Sequence, residues 1–259
     1  MKSILVASDL SERSRSAVRR AVNLAADADA RLTVLHVVDA AIPDTLAQQV
    51  EVGAKTILSE QVAADIGDRS VTSEVTVVTG DAVEVINEAI DTSEAELLVV
   101  GLHRRRRFLD QVRETTMEHL IRASRIPVLL VAGEGAEPYA GVLAGVDLSK
   151  ICAAALHSIP TVAPKGKLSL FHAHEVSFGQ EARRDYETWK AMFPLPQSAP
   201  APQFFEGSAS DALHAFLDTK HHDLLAIGGH TRSNAARYVL GGFTSGLIRN
   251  PPCDLLIAK

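Results

Sequence analysis

Short apolar runs of about four to six residues, each bounded by turn-forming residues, alternate along the chain with longer stretches in which apolar positions recur at helical spacing. In the first half the runs fall at about 3–8, 31–38, 73–79, 96–101 and 127–132, and the helical stretches at about 12–28, 44–67, 81–93 and 111–124. A run without polar alternation belongs to a strand covered on both faces, which is the habit of parallel sheets flanked by helices. The first helical stretch shows the logic. Ser11 is placed to cap it, and Ala17, Val18, Ala21, Val22, Leu24 and Ala25 form one apolar face. Five strands alternating with four helices predict a doubly wound α/β unit, with right-handed crossovers and a ligand crevice outside the carboxyl ends of the strands.

The second half repeats the first. Ile4-Leu5-Val6-Ala7-Ser8-Asp9-Leu10-Ser11 is answered by Val142-Leu143-Ala144-Gly145-Val146-Asp147-Leu148-Ser149, so Asp-Leu-Ser recurs 138 residues on. Arg31-Leu32-Thr33-Val34-Leu35-His36 is answered by Lys167-Leu168-Ser169-Leu170-Phe171-His172, 136 residues on. Gly80 and Gly207, Gly101 and Gly228, and the last apolar run of each half are all 127 apart. This self-similarity predicts two copies of one unit. The drop in offset predicts a deletion of roughly ten residues in the second copy, and the proline-rich stretch 193–202, expected to be a loop, is where it is placed. A Gly- and acid-rich linker, Gly133-Glu134-Gly135-Ala136-Glu137-Pro138-Tyr139, sets the boundary near residue 138, giving domains 1–135 and 139–259.

Composition narrows the classes. A hydrophobic content of 46% with 22% charged residues is globular and ample for two cores. The two cysteines, Cys152 and Cys253, share no metal or redox spacing and read as buried small hydrophobes in a reducing cytoplasm. The first apolar run is too short for an export signal, and no run reaches the ~20 residues of a membrane span, so no membrane partner is expected. A net charge of −6 gives no general attraction to nucleic acid.

An apolar first strand ending in Asp-x-Ser, a second strand ending in His-Val, a Gly-x-His stretch after the fourth strand and a Pro-Val-Leu-Leu-Val last strand resemble the universal stress protein family, twice over. The resemblance implies two tandem Rossmann-like (adenine nucleotide alpha hydrolase-like) domains, each a five-stranded parallel doubly wound sheet, paired through their last strands as a pseudo-dimer. It also implies a nucleotide signature of Gly, two residues, Gly, nine residues, Gly, then Ser or Thr, whose glycines let backbone N–H groups approach phosphates. In the first copy Gly101 is followed by Arg104 and Glu114 where glycines are expected, with Thr115 at the hydroxyl position; a carboxylate there repels phosphate. In the second copy Gly228 is followed by Thr231 and Gly241, with Gly242 at the hydroxyl position. Residue by residue, the resemblance assigns Asp147, Ala173, Gly228, Thr231, Gly241 and Gly242 to the favoured pocket and Asp9, Val37, Gly101 and Thr115 to its degenerate counterpart. Two plainer readings stand beside this one: Asp9 opens a helix N-terminal turn, and the glycines serve close packing of loop and helix.

Other features carry less. Arg104-Arg105-Arg106-Arg107 reads as a solvated or partner-facing loop, with an anion site as the sharper alternative and nucleic acid the weakest. His172 and His174 share one face of a strand, and His221-His222-Asp223 forms a second cluster, but neither nominates the further ligands a metal requires. No metal is expected beyond magnesium accompanying a nucleotide. His103 and His230 read as structural or ligand-orienting. No Gly-x-Gly-x-x-Gly after the first strand, no Walker lysine loop and no Gly-x-Ser-x-Gly elbow occurs, which leaves catalysis without a recognisable nucleophile. The expectation is a cytoplasmic stress-response protein that binds ATP or another adenine nucleotide in its second domain. The alternative is an adaptor that binds other proteins and no nucleotide; a second copy of the chain is a further candidate partner.

Overall fold

The computed structural model describes residues 1–102, 116–134, 137–219, 221–229 and 241–258. It divides into two compact units, Met1–Glu137 and Pro138–Lys259.

The first unit runs β1 (Ser3–Ser8), α1 (Glu12–Ala28), β2 (Arg31–Asp39), α2 (Asp44–Ile66), β3 (Ser73–Gly80), α3 (Ala82–Thr92), β4 (Leu97–Gly101), α4 (Thr116–Ala123) and β5 (Val128–Val131). Its strands lie in the order β3-β2-β1-β4-β5 and pair in parallel. The chain moves outward one way from β1 and then the other way from β4, so the carboxyl ends of β1 and β4 flank the crevice where such sheets accept ligands. Ile4, Leu5 and Val6 are wholly buried although successive side chains point to opposite faces, so both faces of β1 are covered. α1 begins as its sequence predicts: Ser11 Oγ accepts the Ser14 N–H, and Ala17, Val18, Ala21, Val22, Leu24 and Ala25 are buried. It ends at Asp29, whose φ of 50° is left-handed and breaks the helix. For the fourth helix, expected from 111, positions 111–115 lie outside the described residues.

The second unit runs β6 (Gly141–Gly145), α5 (Lys150–Val162), β7 (Lys167–His174), α6 (Gly179–Met192), β8 (Gln203–Glu206), α7 (Ala209–Leu217), β9 (Leu224–Gly228), α8 (Gly242–Arg249) and β10 (Asp254–Ala258). Its order, β8-β7-β6-β9-β10, and its parallel pairing repeat those of the first unit. Its start is pinned by Tyr139, whose buried hydroxyl donates to Asp254 Oδ2 at 2.6 Å.

One expectation is corrected. The shortening of the second copy falls in a helix and not in the proline-rich stretch: α2 has 23 residues and α6 has 14, and these nine account for the fall in offset from 136 to 127. The stretch 193–202 is irregular, as expected, but longer than 67–72, the connection it replaces. Prolines mark a loop; they do not mark where length was lost.

Candidate functional site

The two units build their crevices on the same backbone frame. At the end of β1, Asp9 Oδ1 accepts the Ser11 N–H at 3.0 Å; at the end of β6, Asp147 Oδ1 accepts the Ser149 N–H at 3.1 Å. Each bond closes an Asx turn that leads into a helix capped by the same serine, with Ser11 accepting from Ser14 and Ser149 from Cys152. The residue inside each turn, Leu10 or Leu148, sits at a φ of 63° or 61°, a left-handed conformation that costs a leucine about 1–2 kcal/mol. The aspartates are thus turn formers at the mouths of the crevices, and both are exposed. A buried histidine ties the second strand to the same spot: His36 Nδ1–H donates to the Ser8 carbonyl and His172 Nδ1–H to the Val146 carbonyl, each at 2.7 Å. The carbonyl can only accept, so the proton is on Nδ1 in both.

The glycines divide into two kinds. A Cβ on Gly101 would lie 2.6 Å from the Arg13 carbonyl oxygen and 2.8 Å from the Ser14 nitrogen, so the end of β4 abuts the start of α1 through bare backbone. Gly228 stands likewise against α5, where a Cβ would lie 3.1 Å from the Cys152 nitrogen. These two are packing glycines. Gly241 and Gly242 are different: no atom of the described residues lies within 4 Å of a Cβ on either, and the Gly241 φ of −61° is open to any residue. They form the N-cap and first residue of α8, and the N-cap glycine supplies no side-chain cap, so among the described residues neither packing nor backbone conformation explains their lack of side chains.

What lies under the frame differs. In the first unit Ala7, Asp9, Ser14, Leu35, Val37, Val100 and Gly101 join α3 and the first turns of α4 around a cavity of about 160 Å³. Asp9, Val37 and Gly101, three residues expected in the degenerate pocket, meet here. The volume is below the ~300–1,000 Å³ of a typical small-molecule pocket and suits one ring-sized group. In the second unit the position of Leu35 is taken by Phe171, whose ring packs on Phe216 of α7 at 5.6 Å between centroids and overlies Gly145. Ala173, expected to line the favoured pocket, sits half-buried on β7 opposite Phe205. The ring pair could have been suspected from the Leu35-to-Phe171 change in the aligned strands, but its partner on α7 carries no sequence signal.

Thr115, Thr231, Glu114, His103, His230 and the arginines at 104–107 lie outside the described residues. His172 and His174 flank the Phe204 ring at 5.6 and 6.4 Å, an aromatic cluster completed by Tyr186 and by the Arg183 guanidinium 4.3 Å above that ring. Among the described residues no three His, Cys, Asp or Glu side chains are grouped to hold a metal ion. Burial, followed by the Asp147 charge, pushes the Cys152 thiol up to about 12, and burial, followed by Asp254, pushes Cys253 up to about 12; neither is a nucleophile at neutral pH. No helix among the described residues is long and apolar enough to cross a membrane.

Residues 1–132 and 154–259 match the model of the universal stress protein family. Among solved structures, a universal stress protein from Archaeoglobus fulgidus DSM 4304 is similar over 99% of this chain and 98% of its own, at 20% identity and a TM-score of 0.77. A putative universal stress protein from Pseudomonas aeruginosa UCBPP-PA14 is similar over 100% and 93%, at 18% identity and a TM-score of 0.68. At these identities the likeness speaks for the fold. Comparison with curated proteins finds no match.

Proposed function

The chain belongs to the universal stress protein family, and from that premise we propose that it binds an adenine nucleotide, with the phosphates at the start of α8 in the second unit, and serves a cytoplasmic stress response without catalysis of its own. The observation that carries this reading is the pair Gly241 and Gly242. Among the described residues neither packing nor backbone conformation asks for glycine there, and the two leave the amides at the positive end of α8 unshielded by any side chain of their own. Asp147, held outward by its turn, stands at the end of β6, which pairs with β9. In this reading Asp147 faces the ribose and Thr231 continues the phosphate loop.

The test is thermal and chemical unfolding with and without magnesium ATP. A ligand at ~100 times its Kd adds about 2.7 kcal/mol to the stability of the form it binds. Gly241→Glu, which places in the second copy the carboxylate that the first carries at Glu114, is expected to remove that gain. A gain that survives the substitution puts the nucleotide elsewhere, and no gain in the unmodified protein returns the chain to the adaptor reading.

A further inference from the structure

A second hollow in the first unit is distinct from the crevice at the strand ends. It lies between α3 and the edge strand β3, with a volume of about 380 Å³, within the usual range for small-molecule sites. Its floor is Thr33, Leu35, Thr76 and Val78, and its wall is Val85, Ala89, Thr92 and Ser93. Two carboxylates, Glu74 and Glu88, stand at its rim, and no lysine or arginine among the described residues lines it. Neither has an ion pair or a side-chain hydrogen bond among the described residues.

The second unit shows what this space accommodates. The strand registers match: β2 sets His36 beside Val77 as β7 sets His172 beside Phe204. In that register Leu35, Val78 and Ala89 of the first unit correspond to Phe171, Phe205 and Phe216 of the second. Phe171 and Phe216 pack ring on ring there and are buried. Glu74 and Glu88 correspond to Ala201 and Ala215. The copy that fills the hollow with its own aromatic rings has therefore also shed both carboxylates. The copy that leaves it open has kept small apolar side chains on the floor and negative charge at the rim.

We infer that the groove under α3 is a binding site for small organic cations that carry a flat apolar body, with aromatic amines as the type. The ring takes the space that phenylalanines occupy in the second unit, and the ammonium sits between Glu74 and Glu88, with Thr76 and Thr92 as polar neighbours. The inference is independent of the nucleotide reading, since none of its residues is at the start of α8.

The probe is 2-phenylethylamine, titrated into the full chain and followed by amide NMR shifts, with phenylacetate and 2-phenylethanol as the anionic and neutral counterparts. Saturable shifts centred on Thr76, Val78 and Ala89 are expected, with the amine bound at least about tenfold more tightly than the acid. Val78→Phe with Ala89→Phe, which supplies two of the second unit's three rings at the same positions, is expected to abolish them. Glu74→Gln with Glu88→Gln leaves the packing intact. It is expected to weaken the amine about four- to twenty-five-fold, from two- to fivefold per carboxylate, while leaving the alcohol unchanged. Equal affinity for amine and acid, shifts centred elsewhere, or an amine affinity untouched by the glutamine pair would each overturn the assignment. Should the plugged variant fail to fold, the glutamine pair alone decides.

Discussion

The two units keep the same turn, the same histidine-to-carbonyl bond and the same packing glycine, and among the described residues they differ in the side chains that surround this frame. In the first, two hollows lie beside α3, one lined by Leu35 and Val37 and the other by Leu35, Val78 and Ala89, and the fourth helix is preceded in sequence by Glu114 and Thr115. In the second, Phe171 and Phe216 fill the face, and the fourth helix opens on Gly241 and Gly242. What both copies retain at such divergence holds the backbone: the Asx turns at Asp9 and Asp147 and the bonds of His36 and His172 fix how the first and second strands end. The lesson concerns assignment. Gly101 and Gly228 look like the first glycine of a phosphate loop, but their immediate physical reason is the helix backbone against them. The features open to functional explanation are the unshared ones: among the described residues the first unit leaves space under α3, and the second fills that space and opens its fourth helix on two glycines.

The largest expected effect tests whether that floor is filled as described. Phe216→Ala removes a buried ring from an aromatic pair and leaves a cavity, which should cost about 3–5 kcal/mol in urea unfolding. Ala89 is the same residue in the same place in the first unit, where no ring is missing because Leu35 faces it in place of a phenylalanine. A loss below about 1 kcal/mol would mean that the rings are peripheral and that the contrast between filled and open faces has been overdrawn.

Next in size is the contrast among the glycines. Gly101→Ala drives a Cβ into the Arg13 carbonyl and should cost about 1–3 kcal/mol; Gly228→Ala, with its closest atom at 3.1 Å, should cost less. Gly242→Ala adds a methyl group that meets none of the described residues and should leave stability within about 0.5 kcal/mol, while weakening any ATP-dependent gain. Equal costs at Gly101 and Gly242 would erase the distinction between packing and ligand-facing glycines on which the nucleotide reading rests.

Much of this was legible in the chain before any coordinates. Largely apolar runs bounded by turn residues locate β1 at Ser3–Ser8 and β2 at Arg31–Asp39 almost to the residue, because a strand covered on both faces admits few polar side chains and pairs those it buries, as it does His36. Ser11 and Ser149 declare their helices by the capping chemistry they perform. The lost turns of α6 were not legible, since offsets bracket a deletion between His172 and Gly207 without saying which element gave way. The Phe171–Phe216 pair was only half legible, through the Leu35-to-Phe171 change in the aligned strands, and for a different reason. Periodicity assigns each ring to a buried face separately, and only the packing of α7 on β7 reveals that together they close a space that stays open in the first unit.

The smallest effect at neutral pH comes from one chemical difference just beyond the shared turn, Ser14 in the first unit and Cys152 in the second. Ser14 Oγ donates back to the Ser11 carbonyl; Cys152 Sγ instead faces the Gly145 carbonyl at 3.5 Å in a buried site, where its thiol is pushed up to about 12 from 9.0. The folded protein therefore keeps this proton at pH values where the unfolded chain has lost it. Between about pH 9 and 12 the folded state binds more protons than the unfolded state, so stability falls as pH rises through that window and is unaffected below it. Cys253, raised in the same direction, adds to the slope. Unfolding measured from pH 7 to 11 should be flat at first and then decline, and Cys152→Ser, which copies the first unit's residue, should shallow the decline without moving the neutral plateau by more than about 1 kcal/mol. Iodoacetamide should label both thiols at pH 8 far more slowly than it labels them in the unfolded chain. Rapid labelling of Cys152 in the folded protein would mean that the start of α5 is open to solvent, and that this crevice is less like its counterpart than the matching turns imply.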